Sequence, residues 1–207
     1  MMALFFLLFQ ESVQAAAPVV TETVGQVAEF VTTSREVQIS TVIERVLYPT
    51  KSATSLDVRV DQPEFRNAVT SVLLETVVAV EAENFSVSGI SDKEVQESIN
   101  KVEKAVAGKS FWNQLEVSPV ELKKFVSRKF VSKNFLKFKT ASMTAIITDQ
   151  EAEAYYEKNR AKFAGSSFAP FKENIKTFLG QQQLEERLRS WFEVIKRKYK
   201  VRNFISG

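Results

Sequence analysis

Between Lys123 and Lys139 the chain sets seven cations, Lys123, Lys124, Arg128, Lys129, Lys133, Lys137 and Lys139, with no carboxylate among them. Phe125, Phe130, Phe135 and Phe138 are interleaved with them. Cations that neutralise phosphates, beside rings that stack on bases, could make a nucleic-acid surface. The same residues could hold an anionic lipid face or an extended polypeptide. A third reading needs no ligand: a solvated basic face lies over phenylalanines that belong to the core. That reading is the simplest, and nucleic acid is not expected as a partner. Phe111-Trp112, in a short link, is a second aromatic candidate, although packing against a long helix explains it more simply. The candidate peptide-binding residues are therefore Phe111, Trp112, Phe125, Phe130 and Phe135.

Catalysis has little to draw on. The chain contains no His and no Cys, which removes Ser-His-Asp triads, thiol nucleophiles and zinc sites built on imidazole or thiolate. Carboxylates stand close in sequence at Glu151 and Glu153 and at Glu185 and Glu186. Side chains one or two residues apart do not face each other on a helix, so neither pair suits general acid–base work. No G-x-x-x-x-G-K-[ST] loop occurs, so no ATP site is expected. Catalytic residues, metal ligands and cofactors are all expected to be absent.

The net charge of +3 conceals an imbalance. Residues 1–120 hold 9 basic and 16 acidic side chains, a net of −7, and residues 121–207 hold 19 and 9, a net of +10. Such a chain can fold acidic elements against basic ones, pair with a second copy, or meet an anionic surface.

The elements that must position these residues are mostly helices. Phe171, Ile175, Phe178, Leu179, Gln182, Leu188, Trp191, Phe192, Ile195 and Tyr199 fall on one helical stripe. The spacing predicts a helix over Phe171 to Tyr199, about 43 Å long at ~1.5 Å per residue, along which earlier segments must pack. Pro170 stands at its entrance and Lys196, Arg197, Lys198 and Lys200 crowd its end. Four S/T-x-x-E capping boxes open at Thr33, Ser91, Ser118 and Thr148, and Asp61 before Pro63 marks a further start. The helix after Pro63, with Phe65, Val69, Val72, Leu73, Val77, Val78 and Val80, is apolar around much of its circumference and should be central. Val19 to Thr33 is β-branched and reads as short strands, and Val201 to Ile205 as another. The expected fold is mainly α: a helical bundle organised on a long C-terminal helix, with short β-strands near the N- and C-termini.

Met1 to Ala17 has the texture of a secretory signal, with the apolar run Leu4 to Phe9 and small residues leading to cleavage near Ala15 to Ala17. No Lys or Arg precedes the run. Residues 18–207 would then form the exported domain.

Three stretches carry a likeness to a known family. They are Val19 to Val27 with Phe30 to Val37; Ile146-Ile147-Thr148-Asp149-Gln150-Glu151 through Tyr155-Tyr156 to Asn159; and Phe171 to Leu179 running into Leu184 to Leu188. In this order they resemble SurA-type periplasmic chaperones, over most of residues 19–205. Ala28-Glu29 stands where that family's hairpin usually has Asn or Asp. No segment has the texture of a parvulin domain, so prolyl isomerase activity is not expected. The resemblance implies a periplasmic, ATP-independent holdase that binds unfolded polypeptides such as outer-membrane proteins. The alternative is an envelope assembly factor with one dedicated partner. The basic stretch leaves membrane-surface contact open, and the long helix could exchange between protomers in a swapped homodimer.

Overall fold

Ser118 and Thr148 each accept a hydrogen bond from the amide three residues on, while Glu121 and Glu151 reach back to the cap amides. These two complete capping boxes open helices α5 (Pro119–Met143) and α6 (Asp149–Lys158) of a computed structural model that describes residues 21–51, 55–85 and 90–205. The expected signal segment lies outside the described residues. The other helices are α1 (Ser34–Leu47), α2 (Glu64–Glu83), α3 (Asp92–Val106), the single turn α4 (Ser110–Gln114) and α7 (Lys172–Lys198). Strands β1 (Thr23–Val27), β2 (Phe30–Thr33) and β3 (Arg202–Asn203) form one antiparallel sheet in the order β2-β1-β3. The chain is thus a helical bundle with a long C-terminal helix and a small sheet near the termini. No helix among the described residues is long and apolar enough to cross a membrane.

The hairpin forms without Asn or Asp. Ala28 adopts φ 51°, a left-handed conformation that costs an alanine energy. Its amide donates to the Tyr199 carbonyl at 2.7 Å and its own carbonyl accepts from the Gln26 side chain at 2.7 Å. The end of α7 therefore holds the turn in place. Gly25, in β1, is required for a different reason. A Cβ there would lie 2.8 Å from Leu73 Cδ2 and 2.9 Å from the Arg202 carbonyl oxygen, so the bare backbone lets the sheet settle on α2.

The other expected caps differ. Thr33 accepts from the Glu36 amide, but the Glu36 carboxylate leaves the cap to bind Arg128. Ser91 makes no side-chain cap bond. Asp61 pairs with Arg59 rather than capping α2, which starts after Pro63.

Two hydrophobic clusters divide the body. One gathers Val24, Val27, Val37, Phe65, Val69, Leu73, Val77, Phe135 and Ile195 between the sheet, α2, α5 and the end of α7. The other gathers Ile39, Val42, Ile43, Val95, Ile99, Val102, Leu122, Phe125 and Val126 between α1, α3 and α5. The helices α2 and α5 share the largest interface. Each fully buried Val, Ile or Phe contributes about 1.5–3 kcal/mol. A third, smaller cluster of Ala152, Tyr156 and Ile175, rimmed by Tyr155, Phe163, Phe168 and Phe171, joins α6 to the start of α7. The long helix thus ties this outlying cluster to the body. Its stripe is buried fully only near its ends, at Ile175 and Ile195, and Phe178 is 49 % exposed. Phe178 instead meets Tyr155 in a tilted ring contact, with centroids 5.5 Å apart and planes at 48°.

Candidate functional site

On α1, Glu36, Ser40 and Glu44 recur every four residues and so share one face. That face is opposed by Glu75 on α2 and by Arg128, Lys129 and Lys133 on α5. The six charges alternate in an unbroken chain: Glu36, Arg128, Glu75, Lys129, Glu44, Lys133. Arg128 Nε meets Glu75 at 3.0 Å, and Lys129 and Lys133 each meet Glu44 at 3.0 Å. The Lys129 side chain is 4 % exposed and that of Glu75 10 %. Ser40 donates to the Glu75 carboxylate at 3.3 Å. Three cations face three carboxylates, so the buried Lys129 and Glu75 each have more than one partner of opposite sign.

Burial pushes the Glu44 carboxyl up, but the Lys129 and Lys133 ammoniums outweigh it and hold the group below its usual range. Burial, then the nearby Glu44 and Glu75, raise the Tyr48 phenol. Lys133 lies 4.0 Å from the centre of the Tyr48 ring, a close cation–π contact. Desolvation opposes the charge on Arg128, and Glu75 and Glu36 overcome it, so the guanidinium is held protonated. It lies 5.1 Å from the centre of the Phe125 ring, and its Nη2 finds no hydrogen-bond partner among the described residues.

Ser40, Glu44, Glu75, Lys129 and Lys133 of this seam line a solvent-open groove of about 730 Å³ between α1, α2 and α5. The rest of the lining is mixed: Ala68, Val72, Leu74 and Val78 from α2, Leu136 from α5 and Phe192 from α7 are apolar, while Thr41, Arg45, Asn67, Ser71 and Ser132 are polar. A groove that sets apolar side chains beside fixed charges suits a flexible chain carrying both apolar and polar groups.

The aromatic residues singled out from the sequence lie elsewhere. Phe125 is buried, and Phe111, Trp112 and Phe130 are half-buried against the same α1–α3–α5 cluster. Phe111 and Trp112 belong to the helical turn α4 rather than to a link, and they pack on this cluster rather than on α7. Phe135 sits in the other cluster at 0 % exposure, touching the rings of Phe85, Phe138 and Trp191. None of the five lines the groove. Of the residues that do, the basic stretch supplies Lys129 and Lys133, whereas Ser40, Glu44 and Glu75 were not singled out, although Glu36, Ser40 and Glu44 form a polar row at four-residue spacing in a helix with many apolar positions. Within the basic stretch, Arg128, Lys129 and Lys133 are bound to carboxylates of α1 and α2, whereas Lys123, Lys124 and Lys137 are exposed. The acidic first half of the chain therefore folds, in part, directly against the basic second half.

No family model, curated protein or solved structure matches this chain.

Proposed function

We propose that this chain is a non-enzymatic, ATP-independent chaperone of the bacterial periplasm, of the SurA type, that binds unfolded polypeptides such as outer-membrane proteins. The observation that carries the reading is the groove of about 730 Å³, whose apolar side is built by Leu74, Val78, Leu136 and Phe192. An unfolded client exposes apolar side chains on a backbone rich in polar groups. Occupying those side chains competes with aggregation, which needs the same surface. Release follows from weak contacts and from the client's own folding. The order of elements also favours the reading: a strand pair, a capped first helix, the Thr148-capped Tyr155-Tyr156 helix and a long terminal helix. Nucleic acid is disfavoured, because the most deeply set cations of the basic stretch already hold carboxylates. The outlying cluster on α6 and the start of α7 is a unit that could swap between two protomers.

A dedicated envelope partner is the second reading, and the charged wall favours it. Fixed charges such as Glu44 and Lys133 select for complementary groups, whereas a purely apolar trough would not. Dilution of an unfolded outer-membrane protein from urea, with and without the chain, separates the readings. A holdase suppresses light scattering for that client and for an unrelated one, and a dedicated factor suppresses it for neither or for one alone.

A further inference from the structure

Between α5 and α6 the chain runs Thr144-Ala145-Ile146-Ile147-Thr148 with neither helix nor turn. The backbone is extended at both ends, with φ −61° and ψ 127° at Thr144 and φ −76° and ψ 160° at Thr148. Burial alternates along it: Thr144, Ile146 and Thr148 are exposed, Ala145 is half-buried and Ile147 is buried. That is the period of a strand, in residues that favour strands. Among the described residues no strand pairs with it. Among the described residues, no amide or carbonyl of Ala145, Ile146 or Ile147 makes a hydrogen bond. Ile146 is 93 % exposed. Beside the segment, Lys176, Thr177, Gly180, Gln181 and Leu184 of α7 complete a groove of about 430 Å³.

An occupant of this place must bring backbone donors and acceptors in a row together with apolar side chains. Lipid and nucleic acid lack that pairing; an extended polypeptide has it. We propose that Ala145 to Ile147 receive a segment of an unfolded polypeptide as an added β-strand, with alternate side chains of that segment entering the groove beside Leu184. The partner class is that of the proposed function, but the residues are different, so each claim can fail alone. Strand addition reads main chain before side chains, which suits clients of unrelated sequence.

Hydrogen exchange on the full chain tests this, using a short peptide that alternates valine and threonine between terminal lysines. In the free chain the amides of Ala145 to Ile147 should exchange nearly unprotected, and saturation with peptide should slow exchange within that segment at least about tenfold. The same peptide, N-methylated at alternate residues, should bind about tenfold more weakly, because the donors on its pairing edge are gone. Ile146→Pro, which removes one exposed amide, should weaken binding while leaving the urea midpoint in place. If that variant unfolds, the N-methylated peptide against the unaltered chain still decides. Binding without slowing at Ala145 to Ile147, equal affinity for the N-methylated peptide, or no binding of either peptide overturns the proposal. Slowing confined to Leu74, Leu136 and Phe192 would remove this inference and leave the proposed function standing. The scattering assay judges that function separately.

Discussion

Lys129 of α5 and Glu75 of α2 form an ion pair across the α2–α5 interface, with both side chains almost wholly removed from solvent. Their burial gives the pair more weight than any exposed bridge in the molecule, where the gain is typically about 0–1 kcal/mol. Glu75→Ala leaves Arg128 and Lys129 each short of a partner inside the body. We expect a loss of about 3 kcal/mol, read from urea unfolding. Glu75→Leu combined with Lys129→Leu leaves Arg128 on Glu36 and Lys133 on Glu44, and should restore most of that loss. Equal loss in the single and double variants would mean that the seam does not hold the helices together.

The seam also explains what the sequence hid. Its ion pairs join residues 53 to 92 positions apart, and no local pattern announces such partners. A row of cations without carboxylates looked like a free basic face because its anions lie on α1 and α2. Three of the four expected capping boxes divide along the same line. Ser118 with Glu121 and Thr148 with Glu151 are complete, because no distant group draws the glutamate wholly away. At Thr33 the same motif is half-formed, because Arg128 takes Glu36. Helix periodicity therefore made the bundle legible, and the long C-terminal helix with it. The groove was not legible, since it is made where three separate helices meet.

Acid should act through Glu121. The Arg35 guanidinium binds this carboxylate and, together with the Ser118 hydroxyl and amide, lowers its pKa from 4.5 to about 2 against the opposing effect of burial. A depressed carboxylate pKa stabilises the fold fully above the unfolded value, and the contribution fades as pH falls through the folded one. Stability should thus decline between pH 4.5 and about 2. Glu121→Gln should be less stable at neutral pH and show a shallower decline across that window in urea titrations. An unchanged slope would remove Glu121 from the acid response.

Phe135 should behave as core. It is fully buried among Phe85, Phe138 and Trp191, so Phe135→Ala should cost about 3–5 kcal/mol. Phe130→Ala, at a half-buried position, should cost less. Circular-dichroism melts of the two variants give the comparison, and a Phe135→Ala chain as stable as the parent would contradict the packing described.

Gly25→Ala should loosen the sheet. The added methyl meets the Arg202 carbonyl as well as Leu73, and overpacking of this kind costs about 1–3 kcal/mol. The amide of Phe204, which donates to the Val24 carbonyl at 3.0 Å, should lose protection from hydrogen exchange in this variant. Retained protection there would show that β3 does not depend on the close approach at Gly25.

The groove is tested most directly by Leu74→Gln, which places an amide on its apolar wall at a half-buried position. Light scattering of an unfolded outer-membrane protein diluted from urea should be suppressed by the parent chain near equal molar ratio. Leu74→Gln, matched to the parent in melting temperature, should suppress it markedly less. Equal suppression by both chains, or none by the parent, would contradict the claim that this groove holds unfolded polypeptide.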